Sequence, residues 1–149
     1  MTEIQALLLI KSILESADIH GIENVLAEDC EYMSTGRGII GRNRNETIEF
    51  LSSMAESIKA DNVPVTCKVM HITDVYEEDA LFREGRHGLT VSYESGDNYV
   101  YMIFVDINDE GLVDRIVSSQ ENYSIEYDDL RFGEDESEYA FISAPTTVK

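Results

Sequence analysis

Residues 99–117, YVYMIFVDINDEGLVDRIV, restrict the possible folds more than any other stretch of this chain. They predict two strands joined by a polar turn at residues 108–111. The first arm, residues 99–107, is apolar on both faces, which is typical of a strand in the middle of a covered sheet. Asp109 and Gly111 tolerate the backbone angles of a tight turn. Such a hairpin needs a helical layer over it, and the N-terminal half of the chain offers helices.

Three helices are predicted before the sheet. Residues 2–16 place apolar side chains at helical spacing, and Asp18 is positioned to cap a short second helix over residues 19–26. Asn43 and Glu46 form a capping box that opens a third helix, which runs to about residue 60. Between the second and third helices, residues 28–35 predict a short strand, and residues 36–42 predict a glycine-containing loop.

The rest of the domain is predicted to be strand. Residues 65–75 alternate between apolar and polar side chains, residues 80–93 form a second strand, and the hairpin follows. Gly85 and Gly88 indicate a bulge in that second strand. Helices followed by antiparallel strands predict an α+β fold, with a curved, mostly antiparallel sheet packed on three N-terminal helices. Residues 1–127 form this domain, and residues 128–149 form an acidic, partly ordered extension.

The charge of the chain argues against two classes of partner. The sequence has 30 acidic and 11 basic residues and a net charge of −19, so nucleic acid and anionic membranes are repelled. A basic protein partner stays open. Cys30 and Cys67 predict free, buried thiols in a cytoplasmic protein rather than a disulfide. No signal peptide and no membrane-spanning stretch is predicted.

Four segments occur in a characteristic order. They are residues 18–29 (DIHGIENVLAED), residues 31–33 (EYM), Ile40-Gly41 before the capped helix, and residues 105–116 (VDINDEGLVDRI). Together they resemble the nuclear transport factor 2-like superfamily, a cone-shaped, cystatin-like fold that includes ketosteroid isomerases and SnoaL-like cyclases. The resemblance covers roughly residues 2–123. It implies a pocket between helices and sheet and a homodimer formed through the outer face of the sheet.

The resemblance also allows one activity to be tested position by position. A ketosteroid isomerase needs a carboxylate base, a tyrosine donor and a protonated carboxylic acid. In this sequence the base position falls on Ser34, and the tyrosine position falls on Ile10 or Lys11. The acid position falls on Ile103. None of these side chains can perform the required step, so the resemblance implies that this isomerisation is absent.

The candidate pocket residues lie mainly on predicted strands: Tyr32, Arg83, His87, Tyr99, Tyr101 and Gln120. His87 shares its strand parity with Arg83, Leu89 and Val91, so it is either a general base facing the pocket or an ordinary half-exposed histidine. The tyrosines either orient a ligand or pack in the core or a dimer face. The polar run at residues 118–122 either rims a pocket mouth or is simply exposed.

The remaining clusters do not form recognisable sites. His20, His71 and His87 lie far apart in the sequence, so no metal and no cofactor is predicted. Arg37, Arg42 and Arg44 form a basic island, which we interpret as surface or intersubunit salt bridges, with anion binding as the alternative.

Three functions follow from this interpretation. The first is the binding of a small apolar ligand by a SnoaL-like domain. One alternative is a SnoaL-type lyase or isomerase that uses His87 or a carboxylate. The other is an acidic, immunity-type interaction module for a basic protein.

Overall fold

Two helices and a seven-stranded sheet make up the part of the chain that the structure describes. A computed structural model describes residues 1–62, 64–76, 81–95, 97–120 and 125–130, and it describes the side chains of these residues except 93–95 and 97–99. The helices are α1 (Glu3–Ser16) and α2 (Arg44–Asp61). The strands are β1 (Leu26–Ser34), β2 (Gly38–Gly41), β3 (Val65–Val75), β4 (His87–Ser95), β5 (Asp97–Ile107), β6 (Val113–Gln120) and β7 (Ile125–Asp129). Neither of these helices is long and apolar enough to cross a membrane.

The sheet is mixed, with one parallel pair of strands. Its order is β2-β1-β6-β5-β4-β3-β7, and all neighbours are antiparallel except β1 and β6. The predicted central hairpin is confirmed as β5 and β6. In its turn, Asn108 Oδ1 accepts hydrogen bonds from the N–H groups of Glu110 and Leu112, each at 3.0 Å. Gly111 has a positive φ of 79°, as this turn requires.

Strand β5 is buried on both faces, as its composition predicts. Tyr101, Ile103 and Val105 face the helices and belong to the main core. Met102 lies on the opposite, outer face with 0% exposure, in a second apolar cluster with Phe82 and Ile125. The apolar outer face of the sheet is therefore packed by other residues of the same chain.

The prediction of three N-terminal helices is wrong, because the structure has two. In place of the predicted helix over residues 19–26 there is a single 3-10 turn, Ile22–Asn24. Gly21 precedes the turn with a left-handed φ of 85°, which interrupts a continuous α-helix. Val25 then offers its carbonyl to the N–H of Val113 at 2.8 Å. Pairing with β6 therefore replaces helical hydrogen bonding at this point.

The predicted bulge at Gly85 and Gly88 is present at Gly85 and absent at Gly88. Gly85, with a φ of 83°, donates its N–H to the Ile72 carbonyl at 2.8 Å, and the Ile72 N–H donates to the Arg86 carbonyl at 2.8 Å, so two residues lie opposite Ile72. Strand β4 begins at His87, and its pairing with β3 runs without a register shift from His71–His87 to Val65–Tyr93. Gly88 is required for a different reason. A Cβ at this position would lie 2.7 Å from Phe104 Cε1, so the glycine lets the outer apolar cluster close over the sheet.

Two boundaries also differ from the predictions. The predicted loop at residues 36–42 contains β2, which pairs with β1. The predicted C-terminal extension begins inside β7, which pairs with β3. Residues 131–149 lie outside the described residues.

Replacing Ala17 with glycine is expected to raise the free energy of unfolding by about 0.5 to 1 kcal/mol. Ala17 ends α1 with a left-handed φ of 60°, a conformation that costs an L-residue about 1 to 2 kcal/mol and that glycine adopts without this cost. Glycine also makes the unfolded chain more flexible, and this offsets part of the gain in stability. Urea unfolding measures the change. Asn62 ends α2 with a similar φ of 52°, but asparagine tolerates this region, so Asn62→Gly should gain less. An equal or larger gain for Asn62→Gly would contradict this explanation.

Candidate functional site

A cleft of about 550 Å³ opens between α2 and one end of the sheet. Its lining comes from β1, the β1–β2 turn, β2, α2, β5 and the end of β6. The described residues that line it are Tyr32, Ser34, Thr35, Gly36, Arg37, Ile40, Phe50, Met54, Tyr101, Ser118, Ser119 and Gln120. The cleft therefore lies where helix and sheet diverge, with apolar walls and a polar rim.

The apolar walls are built by two contacts between helix and sheet. The rings of Tyr32 on β1 and Phe50 on α2 have centroids 4.5 Å apart and are tilted by 49°. The hydroxyl of Tyr101 on β5 lies 3.5 Å from the Met54 sulfur. These contacts follow from sequence periodicity, because Tyr32 and Tyr101 alternate toward the helices and Phe50 and Met54 are one helical turn apart. Together they form an aromatic and thioether surface that suits a flat apolar ligand.

The polar rim is held by the parallel pairing of β1 with β6. Thr35 donates its N–H to the Ser118 carbonyl at 3.0 Å and its hydroxyl to Ser119 Oγ at 3.3 Å. The Ser119 hydroxyl donates in turn to the Gln120 carbonyl at 3.2 Å. The polar run that ends β6 therefore lies at the mouth of the cleft as far as Gln120, and residues 121–124 lie outside the described residues.

Close packing between β2 and α2 fixes the wall that carries Phe50. Thr47 is 0% exposed and donates its hydroxyl to the Cys30 carbonyl at 3.0 Å. Gly41 lies directly against it, because a Cβ on Gly41 would be 3.0 Å from the Thr47 backbone nitrogen. Asn43 Oδ1 caps α2 by accepting from the Glu46 N–H at 3.0 Å, which is half of the predicted capping box; the Glu46 side chain accepts from the Arg42 N–H at 3.0 Å instead of the Asn43 N–H. The first turn of α2 is thus anchored to the sheet on two sides.

The structure brings together three of the six predicted pocket residues. Tyr32, Tyr101 and Gln120 all line the cleft. Arg83 and His87 do not line it, and the side chain of Tyr99 lies outside the described part of the chain. Their assignment as ligand contacts stays a prediction in every case.

His87 contacts the first turn of α1 instead of the cleft. Its N–H and its Nδ1 both lie against Glu3 Oε1, at 2.9 and 2.8 Å. In the β4–β5 register Val91 is opposite Tyr101, and Leu89 is opposite Ile103. His87 therefore lies about four residues along the sheet from the Tyr101 level, or about 13 Å at the usual rise of a strand. Strand parity predicted its face correctly but could not predict its position along the sheet.

Several cleft residues were not predicted as site residues. Phe50 and Met54 carried no signal of a site beyond their place in the third predicted helix. Arg37 was interpreted as a salt-bridge residue, yet among the described residues it has no carboxylate within ion-pair distance. Ser34, where the resemblance predicted the position of an isomerase base, does line the cleft.

Two kinds of chemistry lack a suitable group in the described residues. Cys30 and Cys67 are free and buried, as predicted, and burial raises the pKa of each thiol to about 12. Neither thiol is therefore ionised enough near neutral pH to act as a nucleophile. Among the described residues, no three histidine, cysteine, aspartate or glutamate side chains lie close enough together to hold a metal ion.

Two other clefts of similar volume lack this combination of walls and rim. One, of about 530 Å³, lies between the C-terminal ends of α1 and α2, and its described lining contains no aromatic residue. The other, of about 550 Å³, lies along the sheet edge at β7 and His71, and its described lining is formed by four residues. The cleft between α2 and the β1, β5 and β6 strands is therefore the best candidate site.

Comparison with solved structures identifies proteins of the same general fold. No protein-family model matches the sequence, and no curated protein matches it by sequence. The epoxide hydrolase/cyclase-like enzyme SalBIII, which acts in pyran ring formation in the polyether salinomycin, has 14% identity and a TM-score of 0.50, over 78% of this chain and 88% of its own.

Two further neighbours carry the name of the fold. A protein with a cystatin-like fold from Silicibacter pomeroyi has 16% identity and a TM-score of 0.48, over 77% of this chain and 74% of its own. A nuclear transport factor 2-like protein from Cytophaga hutchinsonii has 13% identity and a TM-score of 0.48, over 74% of this chain and 91% of its own. The predicted resemblance to nuclear transport factor 2-like proteins is confirmed at the level of the fold.

Proposed function

We propose that this chain binds a small ligand with an apolar body in the cleft, without acid–base chemistry of its own. The observation that carries the proposal is the lining of the cleft. Tyr32, Phe50 and Met54 supply apolar walls, and hydroxyl groups converge at the rim. Small-molecule sites commonly have this form, with a volume of roughly 300 to 1,000 Å³ and a few well-placed polar groups.

The lack of acid–base chemistry follows from the same residues. General acid–base catalysis needs a group that exchanges a proton near neutral pH, most often an imidazole or a carboxyl group. The described lining contains no histidine, aspartate or glutamate. His87 is held by Glu3 outside the cleft, so the geometry gives no support to a lyase or isomerase that uses it. The homodimer and the basic protein partner stay predictions.

Replacing Phe50 with alanine is expected to weaken binding of an aromatic probe by about tenfold. A large apolar side chain contributes about 1.5 to 3 kcal/mol on full burial, and the half-buried Phe50 contributes part of this. The probe is 2-naphthamide, and isothermal titration calorimetry measures its dissociation constant. Phe50→Leu keeps an apolar wall and should bind within about threefold of the unmodified protein.

Thermal unfolding of both variants controls for loss of fold. Equal affinity of Phe50→Ala and the unmodified protein would contradict the proposed site. Failure of the unmodified protein to bind the probe would contradict the proposed function for this class of ligand.

A further inference from the structure

The cleft differs in charge from the rest of the chain. The whole sequence has 30 acidic residues among 149, about one in five. At that frequency about two of the twelve described lining residues would be acidic, but none is, and one, Arg37, is basic. The described lining of the candidate site therefore carries one positive and no negative side chain, in a strongly negative protein.

Arg37 is fixed in the tight turn between β1 and β2. Its N–H donates to the Ser34 carbonyl at 3.2 Å, and Gly38 completes the turn with a φ of 83°. The side chain is exposed at the mouth of the cleft. The described residues contain ion pairs for Lys11, Lys68, Arg86, His87 and Arg115, but they provide no carboxylate for Arg37. Its guanidinium is thus available to pair with a group that enters the cleft.

The rim beside Arg37 offers further hydrogen-bond donors. The hydroxyls of Ser34 and Ser118 lie at neighbouring positions of the paired strands β1 and β6 and line the same cleft. A hydroxyl can rotate to donate to an anion. The same cleft is lined by the half-buried Phe50, whose ring packs on the fully buried Tyr32 ring and provides an apolar wall. Charge and apolar surface therefore line one cleft.

We propose that the ligand of this cleft is a small amphipathic anion, with a flat apolar body against the half-buried Phe50 and Met54 and one carboxylate-like group paired with Arg37. This inference rests on the proposed function, because it specifies the ligand of the same cleft. One arginine neutralises one negative charge, so a monoanion fits better than a dianion. The second charge of a dianion would be unpaired and would be repelled by a chain of net charge −19.

The net charge of the protein sets the conditions for a test. Long-range repulsion between the protein and an anion is largely screened at about 150 mM salt, where the Debye length is about 8 Å. Direct pairing with Arg37 persists under these conditions because it acts at contact distance. We therefore compare affinities at pH 7.5 and that salt concentration.

Three probes of the same shape separate charge from apolar contact: 2-naphthoate, 2-naphthamide and 2-naphthylmethylammonium. We expect 2-naphthoate to bind about three- to tenfold more tightly than 2-naphthamide, which is the range for a partly exposed charge-assisted contact. The ammonium probe should bind most weakly of the three. Arg37→Gln should remove the preference for 2-naphthoate and leave the affinity for 2-naphthamide unchanged. Arg44→Gln is the matched control, since Arg44 begins α2 outside the described lining, and it should keep the preference.

Each result has a distinct meaning. Equal affinity for 2-naphthoate and 2-naphthamide in the unmodified protein would overturn the inference and leave the proposed function intact. Failure of all three probes to bind would overturn both. A preference for 2-naphthoate that survives in Arg37→Gln, or tightest binding of the ammonium probe, would overturn the assignment of Arg37.

Discussion

Replacing Arg86 with alanine is expected to lower the free energy of unfolding by about 3 kcal/mol, the lower end of the range for breaking a buried ion pair. Arg86 is 4% exposed. Its NH2 group donates to the Val105 carbonyl at 3.1 Å and to Asp106 Oδ1 at 2.8 Å, and its NH1 group donates to the Leu81 carbonyl at 3.2 Å. Alanine would remove all three hydrogen bonds and leave a cavity in their place.

The surroundings explain why the lower end of that range applies. The guanidinium also lies 5.1 Å from the centre of the Phe104 ring, and the loss of this packing adds to the cost. The Asp106 side chain is 42% exposed and the Glu3 side chain 26% exposed, so water can solvate both carboxylates once the arginine is gone. The exposure of the two carboxylates acts in the opposite direction and is the larger effect. Burial lowers the pKa of Arg86, and the charge of Asp106 opposes that shift.

Chemical denaturation provides the comparison, with Arg115→Ala as the control. Arg115 is 48% exposed and lies 3.8 Å from Glu31, so its removal should change stability by less than about 1 kcal/mol. Arg86→Met refills part of the volume and should fall between the two. A loss below about 1 kcal/mol for Arg86→Ala would show that this buried network contributes little.

Replacing Gly41 with alanine is expected to cost about 2 kcal/mol of stability, within the usual range for overpacking. The new Cβ would lie 2.9 Å from Thr47 Oγ1, 3.0 Å from Thr47 N and 3.1 Å from Thr47 Cα. Two of these atoms are backbone of the first turn of α2, so the helix itself has to move. Because that turn is anchored between the sheet and the cleft, affinity for the aromatic probe should fall as well.

Gly36→Ala is the matched control for this substitution. Gly36 has no atom within 4 Å of the position that a Cβ would take. Its replacement should leave stability within about 0.5 kcal/mol, as for an ordinary surface change. Equal stability of the two alanine variants would contradict the close packing of β2 on α2.

The sequence predicted the parts of the fold that depend on periodicity and turn chemistry. The central hairpin, the capped helix that begins after Asn43 and the alternating strand at residues 65–75 are all present. The errors lie where a long-range contact overrides a local pattern. Residues 19–26 have a helical pattern, but Gly21 interrupts it and Val25 pairs with β6. Local spacing contains no information about that distant partner.

The candidate site was predictable to a lesser degree, for a related reason. Tyr32 and Tyr101 were pocket candidates with core or dimer packing as the alternative, and both line the cleft. Strand parity placed His87 on the same face as Leu89 and Val91 but could not set its height along the sheet, which depends on the β4–β5 register. Arg37 could not be assigned to the cleft from its position in a turn, because the pairing of β1 with β6 brings that turn to the cleft mouth.

Binding of a small ligand with an apolar body in this cleft can be followed at single methyl groups, in the spectrum of carbon-13-labelled methionine during addition of 2-naphthamide. The chain has five methionines. Met54 lines the cleft, whereas Met70 and Met102 are 0% exposed on the outer face of the sheet. We predict a saturable shift of the Met54 methyl signal, assigned with Met54→Leu, while the signals of Met70 and Met102 stay in place. An unchanged Met54 signal, or equal shifts at all three positions, would contradict binding in this cleft.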